Sequence, residues 1–170
     1  MIQFVKPESS ARASAAEYAL DTDHELWVLL RQARDAVHKV RDNELRKFGI
    51  SSVQASILFI IQAIGHEATA AEIARWIFRR PHGVSMLLNR MQKKGLIKRV
   101  KYPQRKNMWR ITITPKGREA LEDSANGMCI HRVMSVLDPE EHGLLRSYLL
   151  KLRDTACEDL KVNVKPSYPL

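Results

Sequence analysis

Leu26, Leu30, Ala33, Val37 and Val40 fall four, three, four and three residues apart, the spacing that keeps one apolar stripe of an α-helix facing another helix. Thr22 and Glu25 ahead of them read as a capping box, Asp23 suits the positive helix end, and Gly49 stops the run. Ser51 and Gln54 form a second capping box opening SSVQASILFIIQAIG. There Val53, Ile57, Ile60, Ile61 and Ile64 line a wide apolar face and Phe59 adds another side, so this helix is expected to be central. Thr69 caps a short third helix that buries Ala71, Ile73, Ala74 and Ile77. Arg79, Arg80 and Pro81 make a turn into HGVSMLLNRMQKKG, whose Val84, Leu87, Leu88 and Met91 sit at i, i+3, i+4 and i+7. Its opposite face carries His82, Ser85, Met86, Asn89 and Lys93.

After Gly95 the period changes. LIKRVKY and MWRITIT are β-prone runs separated by PQRKN, which predicts a hairpin. Trp109, Ile111 and Ile113 share one face, expected to turn inward; Arg110 and Thr112 share the other, expected to turn out. Trp76 and Trp109 are assigned to the core. Thr114-Pro115 starts a helix expected to run to about Leu137 with Gly127 tolerated inside it. Asp138-Pro139-Glu140-Glu141 starts the last helix, which should bury Leu144, Leu145, Tyr148, Leu149 and Leu152. The expected fold is mainly α (α+β): tails at 1–21 and 161–170, a pairing helix at 22–48, a helix-turn-helix with a hairpin at 49–114, and C-terminal helices at 115–160.

Charge turns this outline toward a partner. The chain is net +9, yet residues 69–118 hold fourteen Lys and Arg against a single acid, Glu72, and the remainder is net acidic. A one-sign field concentrated in one segment usually meets a polyanion. Two cysteines in 170 residues give no disulfide framework, so a cytoplasmic setting is the expectation. The N-terminus lacks the apolar stretch of a signal peptide, no apolar run reaches membrane-spanning length, and the basic segment is not an amphipathic helix, so no membrane partner is expected.

Helix, turn, helix and charged hairpin in this order make a winged helix. The second helix would enter the major groove of double-stranded DNA, its apolar face packed and its other face offering groups to base edges. Ser85 and Asn89 can hydrogen-bond bases, Met86 can pack on a thymine methyl, and His82 can reach base or phosphate. Arg90, Lys93, Arg105, Lys106 and Arg110 supply cations, and phosphates neutralise the hairpin's self-repulsion on binding. The bland reading is a solvated hairpin face. Two rivals also stand: a sequence-tolerant architectural DNA binder, and a winged-helix adaptor for protein partners.

FGISSVQASIL, TAAEIARWI, VSMLLNRMQKKGLIKRV and ITPKGREAL, in this order between long helices, resemble the multiple antibiotic resistance regulator (MarR) family over about residues 22–160. The resemblance implies a homodimer built from the N-terminal and C-terminal helices, a pseudo-palindromic operator, and repression relieved by a small aromatic or phenolic effector. It also implies an effector pocket between the dimer helices and the DNA-binding lobe, for which Trp27, His38 and Phe59 are the candidates. The family's wing Asp-x-Arg motif is absent: Arg105 and Asn107 stand at those positions. Arg105 or Lys106 is then expected to take the DNA contact. The opening Pro81-His82-Gly83 also replaces the usual serine-rich start of the reading helix.

Cys129 and Cys157 are expected to be buried, inert thiols. Cys129 and His131 are two residues apart on a helix and point to different faces. The histidines show no metal-ligand spacing, so no metal and no cofactor is expected. No phosphate-cradling loop, nucleophile elbow or paired catalytic motif is present, so an enzyme is not expected.

Overall fold

The computed structural model describes residues 22–101 and 109–162. Among the described residues, besides two short 3-10 turns, the helices and strands run in this order: α1 Thr22–Leu45, α2 Ser52–Ile64, α3 Ala70–Trp76, α4 Pro81–Lys93, β1 Ile97–Lys101, β2 Trp109–Ile113, α5 Pro115–Ala125, α6 Cys129–Met134 and α7 Pro139–Asp159. The fold is mainly helical with one small antiparallel sheet, as expected. The chain divides into two compact units, Met1–His38 and Lys39–Leu170.

In the first unit, α1 shows its apolar stripe to solvent. Leu26 is 59% exposed, and Leu29 and Leu30 are also exposed. Trp27 lies against His24, with the Arg31 guanidinium over its ring.

The second unit holds the core. The capping box that opens α2 is present: Ser51 Oγ accepts from the Gln54 amide at 3.2 Å, and the Ser51 amide donates to Gln54 Oε1 at 3.1 Å. The Asp42 carboxylate takes the Ser52 amide at 2.6 Å, so another orphan donor at this helix start is satisfied. Ile57, Leu58, Ile60 and Ile61 of α2 are buried among Leu45, Ile73, Val84, Leu88, Met91, Leu96, Ile97 and Ile111. Each fully buried aliphatic side chain of this kind contributes about 1.5–3 kcal/mol. Thr69 caps α3 through the Glu72 amide, and Pro81 occupies the first turn of α4.

The hairpin is in register Ile97↔Ile113, Arg99↔Ile111 and Lys101↔Trp109. The Ile111 amide also donates to Ala68 O at 2.7 Å, tying β2 to the start of α3. Thr114 locks the base of the hairpin. Its amide donates to Leu96 O at 3.1 Å, its hydroxyl donates to Gly95 O at 2.5 Å, and the hydroxyl accepts from the Gly117 amide at 3.1 Å. These bonds join Gly95 and Leu96 to the Thr114–Gly117 turn.

Four expectations are corrected. The first α-helix ends at Leu45, and a 3-10 turn, Arg46–Phe48, carries the chain to Gly49. Trp109 is 49% exposed, with Lys101 Nζ 6.0 Å from its ring, because it sits at the far end of β2 beyond the reach of the core. The helix expected from 115 to about 137 is two helices, broken at 126–128. Arg41 Nη2 donates to Ser124 O at the end of α5, and Glu44 Oε1 accepts the Cys129 amide at 2.9 Å at the start of α6. The two side chains pair with each other at 2.6 Å. Gly127 passes so close that a Cβ would collide with both. Finally, Leu144, Leu145, Tyr148, Leu149 and Leu152 of α7 are exposed in the single chain, not buried.

Candidate nucleic-acid interface

The face of α4 is set by what its other side must bury. Val84, Leu88 and Met91 are fully buried, and Leu87 packs against the same core. With that side fixed, the helical period turns His82, Met86, Asn89, Arg90 and Lys93 to solvent, with Ser85 half-buried between the two faces. Five of the six candidate residues on α4 are therefore presented together on a helix that cannot roll without exposing its core side. Asn89, Gln92 and Lys93 line a surface recess of about 420 Å³.

The segments before and after this helix are cationic. Arg79 and Arg80 precede it, and Lys94 closes it while donating to Gly49 O at 2.8 Å. Lys98 and Lys101 of β1 are exposed and Arg99 is half-buried. Glu72 is ion-paired with Arg75 on α3, leaving the segment's other thirteen bases without a carboxylate in that segment to answer them. Arg110 differs from expectation. It is half-buried, and its Nε and the Thr112 hydroxyl are both enclosed without a hydrogen-bond partner among the described residues. The β2 face expected to turn fully outward is thus partly covered. Arg105 and Lys106 lie outside the described residues.

The effector candidates are distributed. Trp27 and His38 belong to the first unit, with Trp27 exposed and His38 half-buried, whereas Phe59 is exposed on α2 in the second. A recess of about 560 Å³ in the second unit is lined by Val40, Asn43, Glu44, Met128, Cys129 and Arg132, and none of the three candidates lines it.

Sequence reasoning did not find the Arg41–Glu44 clamp beside that recess. Its one visible signal was Gly127, an unexplained glycine in a helical stretch. The Cys129 thiol and amide and the Arg41 guanidinium hold the Glu44 carboxyl down at about 2. Burial, then the neighbouring Glu44 carboxylate, raises the Cys129 thiol above its usual value. Cys129 and Cys157 are both buried and unbridged. The exposed Phe78 in the turn between α3 and α4 was also missed; the sequence placed only its arginine neighbours there.

No group of three or more His, Cys, Asp or Glu side chains is placed to hold a metal ion among the described residues. No single described helix is long and apolar enough to cross a membrane.

Comparison with known proteins gives the same outline. A family model described as the MarR family matches residues 48–105. No curated protein matches the chain in sequence. Among solved structures, an organohalide-sensing transcriptional regulator in its 2,4-dichlorophenol-bound form is 25% identical with a TM-score of 0.78, covering 100% of this chain and 99% of that one. The MepR–DNA complex of Staphylococcus aureus is 25% identical with a TM-score of 0.68, over 75% of this chain and 96% of that one. A mutant MarR from E. coli complexed with operator DNA shares the fold at 20% identity and a TM-score of 0.70, over 75% of this chain and 93% of that one.

Proposed function

We propose that this chain, whose residues 48–105 match a MarR-family model, is a homodimeric, cytoplasmic transcriptional regulator that represses by binding a pseudo-palindromic operator and is released by a small aromatic ligand. The observation that carries the proposal is α4. It offers His82, Met86, Asn89, Arg90 and Lys93 on one face, locked by three fully buried residues on the other, beside a hairpin whose charged residues are all cationic. Such a helix has the dimensions and groups for the major groove, and the flanking cations supply affinity by displacing counterions from phosphates. Ser85 joins the reading face, and Arg105, Lys106 and Arg110 are assigned to the wing contact. Dimerisation is assigned to α1 and to the C-terminal helices, of which α1 and α7 carry exposed apolar residues.

The effector class rests on the organohalide-sensing relative, which was crystallised with 2,4-dichlorophenol. Trp27, His38 and Phe59 remain the candidates for holding such a ring. The test is selection of bound duplexes from a random pool at a fixed, near-physiological salt concentration. An inverted repeat with half-sites about one helical turn apart is expected. Tight binding with no enriched sequence would instead make this an architectural DNA binder. Absence of binding would hand the basic hairpin to another partner. The recovered operator then serves to measure release by 2,4-dichlorophenol.

A further inference from the structure

Helices α3 and α4 end in the same way. At the end of α4, the Gly95 amide donates to Gln92 O at 2.9 Å and the Leu96 amide to Met91 O at 3.0 Å, with Gly95 in the left-handed region at φ 74. At the end of α3, the Phe78 amide donates to Arg75 O at 3.1 Å and the Arg79 amide to Ala74 O at 3.0 Å, with Phe78 left-handed at φ 51. Glycine is favoured at this position because any Cβ is strained there, and a bulky ring is among the least suited residues. Lys161 closes α7 with the same geometry, but its ammonium group belongs in water and its exposure there calls for no partner. Phe78 does have apolar surface and does not hide it. It is 47% exposed, while its neighbours Trp76 and Ile77 pack against the core.

The strain therefore does not serve burial. It holds an aromatic ring out of the turn that leads into α4, next to Arg79 and Arg80. Both arginines are exposed, and neither pairs with an acid among the described residues. A ring followed at once in the chain by two exposed arginines, at the N-terminal edge of the reading helix, is complementary to a phosphodiester strand. The guanidiniums meet phosphate oxygens, and the ring meets the apolar deoxyribose face between them. We propose that Phe78 is a DNA-contacting residue, packing on the sugar of the backbone strand whose phosphates Arg79 and Arg80 bind. This rests on the DNA-binding reading above and adds to it a contact that carries affinity but no sequence information.

The test uses the full chain, the duplex recovered by selection and an unrelated duplex of equal length, at one salt concentration. Phe78→Gly is expected to weaken both duplexes about tenfold, the loss expected for burying some tens of Å² of apolar surface. Its thermal midpoint should nevertheless rise by about 2–4 °C as the left-handed strain is relieved. Phe78→Asn, which also tolerates this backbone conformation, should show the same loss of affinity. Unchanged affinity in both variants would overturn the proposal while leaving the DNA-binding reading intact, because the wild type would still bind. A changed preference between the duplexes would mean that the ring reads bases, and would overturn the sugar contact. A lower midpoint in both variants would make Phe78 a structural residue. Loss of self-association with DNA affinity kept would place it between copies of the chain. If the wild type binds neither duplex, the DNA-binding reading itself falls.

Discussion

At the scale of single residues, base reading and phosphate binding make different demands, and Asn89 and Lys106 separate them. Asn89 sits exposed on the rigid face of α4, where its amide can both donate to and accept from one base edge. Asn89→Ala is expected to relax preference at one position of the site by about 1–3 kcal/mol, read by binding to single-base variants of the operator. Lys106 offers only charge. Lys106→Ala should weaken all sequences about equally and lower the slope of log affinity against log salt by about one. Equal patterns from both substitutions would remove α4 from its role as reader. Glu44 makes a different kind of prediction. Its carboxyl is held at about 2, against an ordinary 4.5, by the Cys129 thiol and amide and the Arg41 guanidinium. A depressed carboxyl stabilises the folded state fully above the ordinary value, and that contribution disappears as pH falls from 4.5 toward 2. The stability difference between wild type and Glu44→Gln should therefore shrink steadily over that interval. A difference independent of pH there would mean that Glu44 does not act as a charged clamp.

At the scale of elements, the α5–α6 break is governed from a distance. Arg41 on α1 donates to a carbonyl at one helix end and Glu44 accepts an amide from the next, with Gly127 close against both side chains. Gly127→Ala should lower the unfolding midpoint, because the clamp side chains must shift and abandon those bonds. Isolated helix propensity, which favours alanine over glycine, predicts the opposite sign, so thermal unfolding decides between them. The same pair explains what the sequence could and could not reveal. The Ser51–Gln54 and Asp138–Glu141 caps, the inward stripe of α4 and the hairpin were legible because each is written within a few neighbouring residues. The break at 126–128 was not, because its cause lies about eighty positions earlier in the chain. Trp109 was misplaced for a related reason: alternation fixes which side of a strand a residue takes, but not whether the core extends to the strand's end. The candidate residues on α4 were legible from periodicity, whereas Phe78 was not, since backbone strain leaves no mark in composition.

At the scale of the whole molecule, the exposed apolar residues of α7 matter most. Leu145, Leu149 and Leu152 follow one another at four and three residues, with Leu144 and Tyr148 beside them, and Leu152 is 59% exposed. A patch of contiguous large apolar side chains on a helix surface marks an interaction site and is costly to leave in water. A separate stripe on α1 includes Leu26 and Leu30. The expectation that these positions are buried failed for the single chain and is met if a second copy covers them. A two-fold dimer would also set two α4 helices against two half-sites, which ties the oligomeric state to the form of the operator. Leu149→Glu combined with Leu152→Glu puts two charges into that contact. The pair should shift sedimentation equilibrium from dimer to monomer and weaken operator binding far more than binding to a single half-site. If the substituted chain remains dimeric, α7 is not the dimer contact. If it becomes monomeric yet binds the full operator as tightly as before, the two reading helices do not act together, and the palindrome has another origin.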